Sequence, residues 1–342
     1  FFFENDLKIA KEGGSAWIEN LNQVIFHGKL GSLSDRVKRI NRLALKLAPY
    51  FNISDEKIIK AVNFSKTDLC SEMVYEFPEL QGVMGKYYAD AANYDEEIAL
   101  AILEHYQPQG PNDEIPSKPL SVVLAIADKL DLLSCFWSID ERPTGSKDPY
   151  ALRRAAIGVI RLMLSSGINV NLKEILEDRI AKNNVPKDDI IIFLRDRLKV
   201  LLRDRGIRYD VIEACFNMSK SDDFVILEEK INILNKFLKT KNGIKLLECF
   251  KRANNILVAE EKKDGVKYEL DPMLEYMNNS YEKILFTTLK EIKLEIEKLF
   301  KRKDFESVML KTSRLLMPID EFFKEVKVND ESQIVRRNRL CL

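Results

Sequence analysis

Residues 33–47 read Leu-Ser-Asp-Arg-Val-Lys-Arg-Ile-Asn-Arg-Leu-Ala-Leu-Lys-Leu. Leu33, Val37, Ile40, Leu43, Ala44 and Leu47 recur at the three-and-four spacing of one helix face, with Arg36, Lys38, Arg39 and Arg42 on the others. The pattern predicts an amphipathic helix, ended by Pro49. Nearly everything downstream keeps the same period. Ser54-Asp55-Glu56 supplies an N-cap and an acidic first turn ahead of Ile58, Ile59 and Val62. Residues 94–106 and 119–137 read alike on either side of loop 107–118, which holds Pro108, Gly110, Pro111 and Pro116. After a second irregular stretch at 139–149, helices are predicted at 150–165, 171–182 and 187–204, then at 223–240, 243–262, 272–301 and 303–325. No alternating strand pattern, sustained repeat or low-complexity tract interrupts them. The fold class that follows is all-α, in two bundles.

Composition agrees. A chain of 342 residues suggests two domains, perhaps a third. With 46% hydrophobic and 32% charged residues it can bury a core. Only 13 Gly and 11 Pro argue against a turn-rich sandwich or barrel, and 2 His limit any imidazole-based metal or acid–base site. Cys70, Cys135, Cys215, Cys249 and Cys341 lie far apart with no CxxC, which excludes a zinc ribbon and suits a reducing, cytoplasmic setting. No apolar run approaches the roughly 18 residues of a membrane span. Phe1-Phe2-Phe3 runs straight into Glu4 and Asp6, unlike a secretory signal, and without an initial Met it reads as the cut end of a larger protein. Formal charge balances at 54 basic against 54 acidic, but from Lys230 onward there are 24 basic and 18 acidic residues, so an acidic front precedes a basic back.

Three stretches bear on chemistry. Ala125-Ile126-Ala127-Asp128-Lys129-Leu130-Asp131 resembles the helix that carries the last metal-binding aspartate in helical phosphohydrolases of the HD superfamily, where imidazoles and carboxylates hold a divalent ion and acidify its water. Phe64-Ser65-Lys66-Thr67-Asp68 stands where the His-Asp doublet belongs, with Thr67 in place of histidine; the helix at 33–47 lacks the leading histidine, and His27 precedes it. Asp68, Asp128 and at most His105 remain, so no metal and no catalytic residue is expected, and the two aspartates read as vestigial ligands that cap or pair within the bundle. The second stretch, Lys147 to Arg161, opens with Asp148-Pro149, a helix start in which Asp accepts orphan N–H groups. Its Arg153, Arg154 and Arg161 are forks that meet phosphates, or carboxylates within the fold. The companion segment Glu76-Phe77-Pro78-Glu79-Leu80-Gln81-Gly82-Val83-Met84-Gly85-Lys86-Tyr87-Tyr88 places two glycines among large side chains, suggesting close backbone approach without naming a reaction. The third is the basic back. The 243–262 helix offers Lys245, Phe250, Lys251, Arg252 and Asn255, with Lys251 and Asn255 four apart on one face. Arg336-Arg337-Asn338-Arg339 and Lys301-Arg302-Lys303 add cation clusters. Such residues suit an RNA loop: cations meet phosphates, while aromatic or arginine planes and amides read splayed bases. Phe322 and Phe323 read as core, and Asn254 and Asn255 as alternative partners for backbone groups.

Phe77 to Gly85 with Tyr88, then Ala127 to Asp131, then Thr144-Gly145-Ser146-Lys147-Asp148-Pro149-Tyr150-Ala151-Leu152-Arg153-Arg154-Ala155-Ala156, together resemble the β subunit of the bacterial two-subunit glycyl-tRNA synthetases. Phe250 to Leu257, Pro318 to Phe323 and Arg337 to Leu340 continue the resemblance in order. It implies a linker at 1–19 from an absent N-terminal region, a degenerate HD-like helical domain with following helices at 20–216, a linker at 217–223, and a helical anticodon-binding bundle at 224–342 short of its last helix. It also implies binding of glycine tRNA, by candidates Lys245, Lys251, Arg252, Asn255, Arg336, Arg337, Arg339, Arg153, Arg154 and Arg161. ATP and glycine would be used by a separate α subunit, so no cofactor is expected in this chain and no membrane partner. The alternatives are a metal-dependent HD phosphohydrolase with an appended helical module, or a scaffold for the α subunit.

Overall fold

The computed structural model describes residues 2–110, 112–183, 188–218 and 223–342, with the side chains of 178–183 left out of the description. Apart from one short hairpin, β1 (Ile25–His27) against β2 (Gly31–Ser32), its regular elements are helices. The chain divides into two compact units: Phe1–Gly206 with Phe216–Glu228, and Ile207–Cys215 with Glu229–Leu342. The expected linker at 217–223 falls largely on 219–222, outside the described residues.

The first unit begins with α1 (Phe2–Lys11) and α2 (Ser15–Asn20). Residues 1–19, expected as connecting chain, are thus helical from Phe2 and packed: Asp6, Ala10 and Trp17 are buried. After the hairpin comes α3 (Leu33–Phe51), opened by a reciprocal capping box between Ser32 and Asp35. Pro49 does not end it; the helix runs one turn further to Asn52, whose left-handed φ of 55° closes it. Next come α4 (Asp55–Phe64), α5 (Glu72–Glu76), α6 (Val83–Ala91) and α7 (Glu96–Glu104). Then α8 (Pro119–Ser138) runs through the middle of the unit, against α3, α4, α7 and α9 (Leu152–Ser166). It is apolar on every side, as a fully surrounded helix must be, and Asp128, Lys129 and Asp131 are its only charged residues. The start of α9 differs in detail from the reading of Asp148-Pro149. The helix begins at Leu152, and the Asp148 carboxylate reaches forward to accept the N–H groups of Leu152 (2.8 Å) and Arg153 (3.0 Å). α10 (Leu172–Asn183) and α11 (Asp189–Asp204) follow.

The second unit takes most of α12 (Tyr209–Met218) and the latter part of α13 (Phe224–Phe237), whose start is capped by Asp223 accepting Ile226 N–H at 3.0 Å. Its long members are α14 (Lys241–Asp264) and α15 (Ser280–Lys301). The segment predicted as one helix at 303–325 is two, α16 (Phe305–Thr312) and α17 (Leu316–Glu325), joined by a short 3-10 turn. A final helix, α18 (Gln333–Cys341), escaped the sequence reading. Leu285, Phe322 and Val326 centre a small core, with Leu289, Ile319 and Phe323 around it. Phe322 and Phe323 are therefore packing residues, as expected.

Candidate functional site

Both vestigial aspartates are buried in the first unit, and cations of the chain itself surround Asp128 and its neighbour Asp131. Lys66 Nζ sits 3.0 Å from Asp128 Oδ1, and an Arg36 nitrogen donates to the same oxygen at 3.1 Å. Arg39 grips Asp131 with two bonds of 2.9 and 3.3 Å and donates to Leu30 O. Lys66 Nζ also lies 2.8 Å from His105 Nε2, while His105 Nδ1 is 2.6 Å from the Ile102 carbonyl. That arrangement fixes the imidazole as neutral: Nδ1–H donates to the carbonyl, and Nε2 accepts from the ammonium. Lys129 Nζ turns away and donates to the carbonyls of His105, Tyr106 and Gln107 (3.3, 3.2 and 2.8 Å). Gly158 leaves room for this lysine, since a Cβ there would stand 2.7 Å from Lys129 Cε.

The electrostatics follow from burial. Desolvation pushes the Lys66 and Lys129 ammonium groups down to about 8, with Asp128 opposing the fall in both. Burial alone would raise the Asp128 carboxyl, but Arg36 and Lys66 outweigh it and hold Asp128 far below the usual carboxylate range. His105 is driven well down by burial and by Lys66. Asp68 stands apart. Its Oδ2 accepts the Gly82 N–H at 2.6 Å, its Oδ1 has no hydrogen-bond partner, and burial raises its carboxyl.

This donor set does not fit a divalent ion. The edge of Asp128 that would face a metal is taken by an ammonium and a guanidinium, His105 is committed at both nitrogens, and Asp68 serves a backbone amide. Among the described residues no group of three or more His, Cys, Asp or Glu side chains is placed to hold a metal. The phosphohydrolase alternative loses its site to Arg36 and Lys66, while Lys129 is spent on backbone carbonyls. Sequence reasoning missed those cations as substitutes, although Lys66 beside Thr67-Asp68 and Lys129 beside Asp128 in an apolar helix were the available signals.

The cationic candidates separate into two sets. Arg336 is buried and pairs with Glu260 and Asp264, while its Nε donates to Asn329 Oδ1 at 3.1 Å. Arg339 joins Glu282 at 2.6 Å and Asp330 at 2.7 Å and donates to Lys327 O. Arg161 holds loop 107–118 through the carbonyls of Gly110 and Asp113, each at 2.7 Å, and Arg153 donates to Gly145 O at 2.7 Å. These four forks are engaged within the fold. The others are exposed. Lys245, Lys251, Arg252 and Asn255 lie together along the outer face of α14, with Arg252 stacked 4.6 Å over the Phe323 ring. Arg337 on α18 and Arg154 on α9 are exposed and make no ion pair among the described residues. The side chains of Asn254 and Asn255, read as possible partners for backbone groups, make no hydrogen bond among the described residues. Phe250, 64% exposed, turns from the cationic face toward an apolar hollow of about 620 Å³ bounded by Leu246, Leu257, Phe322 and Phe323.

Comparison with known proteins gives this arrangement its class. Residues 246–342, which hold all but the first turn of α14 and all of α18, match the DALR anticodon binding domain. Residues 1–217 match the family described as glycyl-tRNA synthetase beta subunit. Relatives agree over the whole chain: the glycine–tRNA ligase beta subunit of Ruegeria sp. strain TM1040 is 48% identical over 344 residues. The corresponding subunits of Paracoccus denitrificans and Dinoroseobacter shibae are 46% and 43% identical over 342 and 375 residues. This chain belongs to the glycyl-tRNA synthetase beta subunit family. All of it is covered in these comparisons, and it spans about half the length of the curated relatives it matches (50 to 52%).

Proposed function

We propose that this chain is the tRNA-binding portion of a glycine–tRNA ligase beta subunit, gripping the anticodon region of glycine tRNA in the cytoplasm while a separate alpha subunit joins glycine to the tRNA at the expense of ATP. One observation carries the reading. The segment matching an anticodon-binding domain holds most of the long helix α14, which keeps Lys251, Arg252 and Asn255 exposed within it and Lys245 one residue before it. Lys245 and Lys251 meet loop phosphates and set register; Asn255 offers an amide to a base edge; Arg252, its guanidinium carbon 4.6 Å from the centre of the Phe323 ring, offers a plane on which a base stacks. Arg337 extends the cationic surface. The chain supplies binding and positioning and holds no cofactor of its own. The front unit, its ion site closed by lysine and arginine, contributes a rigid body rather than hydrolysis.

The test compares glycine tRNA with an acceptor-stem minihelix that lacks the anticodon arm. Full tRNA is expected to bind at least about tenfold more tightly, a difference of roughly 1.4 kcal/mol. Equal, weak affinity for both would defeat the anticodon assignment.

A further inference from the structure

Lys301-Arg302-Lys303, the cation cluster that the α14 face leaves unused, is the end of a longer row. On α15, Lys290 and Lys301 follow Lys283 at seven and eighteen residues, close to two turns and five, so the three stand in line along one side of the helix. Lys293 and Lys298 flank the line, Thr287 and Leu294 fill its gaps, and Arg302 and Lys303 prolong it past the helix end; all of them are exposed. From Lys283 to Lys301 the ridge runs straight for about 27 Å, at about 1.5 Å per residue. The opposite side of α15 is the one that packs, where Leu285 and Ile292 are buried.

The charge of this ridge is not spent within the fold. Most acids of α15 are drawn off to other helices: Glu282 to Arg339 at 2.6 Å, Glu295 to Lys311 at 2.6 Å and Arg314 at 3.2 Å, and Glu291 to Arg314 at 3.9 Å. Glu297 alone stays on the lysine side, and the lysines of α15 make no ion pair among the described residues. Lys290 Nζ instead stands 4.3 Å over the Phe286 ring. Helix stability does not account for the row. Cations are favoured in the last turn, which covers Lys298 and Lys301, but Lys283 sits in the first turn, where the helix dipole opposes it.

An unpaired row of cations attracts a polyanion. A membrane surface is disfavoured, because a basic helix binds lipid by inserting its apolar side, and that side of α15 faces the bundle core. The straight run suits a rigid rod better than a looped single strand. Its described residues include no amide and no exposed aromatic ring, so the ridge positions a backbone without reading bases. We infer that the α15 ridge holds the sugar–phosphate backbone of a double-helical RNA arm, independently of sequence and apart from the α14 face. That the arm belongs to glycine tRNA rests on the ligase reading proposed above.

The experiment measures RNA affinity of this chain against salt, with a plain RNA duplex, glycine tRNA and a non-cognate tRNA as probes. Lys290→Ala, Lys293→Ala and Lys301→Ala combined are expected to lower affinity about 30-fold or more at about 0.1 M salt and to reduce the log–log salt slope by about 2–3. The loss should be equal, within about twofold, for all three RNAs, the mark of a backbone contact. The same three positions changed to arginine should keep the original slope, because the charge is kept. An unchanged slope in the folded alanine variant overturns the inference. So does a loss confined to glycine tRNA, which makes the ridge a base reader, or a loss of binding to anionic phospholipid vesicles with RNA affinity retained. Failure of the ligase reading shows separately: the unsubstituted chain then binds glycine tRNA no better than the non-cognate one, while the duplex slope still falls in the alanine variant.

Discussion

Replacing Asp128 with asparagine removes one negative charge from a carboxylate that faces Lys66 at 3.0 Å and Arg36 at 3.1 Å in the interior of the first unit. The amide is nearly the same size, so packing is preserved and the change is electrostatic. Asp131 compensates only in part: Arg39 holds both its oxygens, and Arg36 Nε reaches its Oδ2 only at 3.8 Å. Lys66 is left buried without a counter-ion and Arg36 loses the shorter of its two pairs, and breaking a buried pair from one side costs about 3–5 kcal/mol. For a unit of roughly 220 residues, each kcal/mol moves the melting temperature by about 2–4 °C, so a fall of about 10 °C is expected by calorimetry. Adding Lys66→Met to Asp128→Asn should recover part of that loss, with a coupling of about 1–3 kcal/mol in the double-mutant cycle. A metal site behaves differently. A divalent ion at one hundred times its Kd would stabilise the native protein by about 2.7 kcal/mol, whereas manganese or magnesium at millimolar concentration should leave its melting unchanged. A loss below about 1 kcal/mol in Asp128→Asn, or a metal-dependent rise in melting temperature that this variant abolishes, would refute the replacement of the ion by lysine and arginine.

Further outcomes concern the buried lysines, the α14 face and the packing of the second unit. Two lysines, Lys66 and Lys129, should titrate near pH 8 in lysine-labelled NMR spectra, and Lys66→Met should remove one of the signals. Because their folded values lie below the ordinary 10.5, the unfolded chain holds more protons between pH 8 and 10.5; their contribution to stability rises with pH across that window and is flat below it. Lys251→Ala should weaken binding of glycine tRNA and reduce the log–log salt slope by about 0.7–0.9, the signature of one phosphate contact; an unchanged slope would remove Lys251 from the interface. Arg336→Ala should leave the affinity of folded protein unchanged but destabilise the second unit by about 1–3 kcal/mol, through stranding of Glu260 and Asp264, and Gly243→Ala should do so more strongly, since its Cβ would fall 2.0 Å from the Phe237 carbonyl oxygen; urea denaturation measures both.

The helical class was legible because long amphipathic segments announce themselves. The apolar positions of 33–47 are the buried residues of α3, and 119–137 is the core helix α8 almost to the residue. Short elements were not. α5 and α6 hold few apolar repeats, and what fixes them is long-range: Asp6 and Asp68 accept amides across 66 and 14 residues. Pro49 was over-read, since a proline near a C-terminus costs one bond and leaves the last turn intact. At the candidate site, residue type was legible and commitment was not. Arg336, Arg337 and Arg339 look alike in sequence, yet Glu260 and Glu282, 76 and 57 residues away, engage the first and third and leave Arg337 exposed. The missing histidines were visible as substitutions, whereas the lysine and arginine that took over Asp128 became apparent only once α8 was seen surrounded on all sides.

The account depends on recognition of the anticodon arm by the α14 face, and a ribose-cleavage footprint of glycine tRNA bound to this chain tests it most directly. Protection should centre on the anticodon loop and diminish there with Lys251→Ala. Protection confined to the acceptor end, or none at any nucleotide, would contradict it.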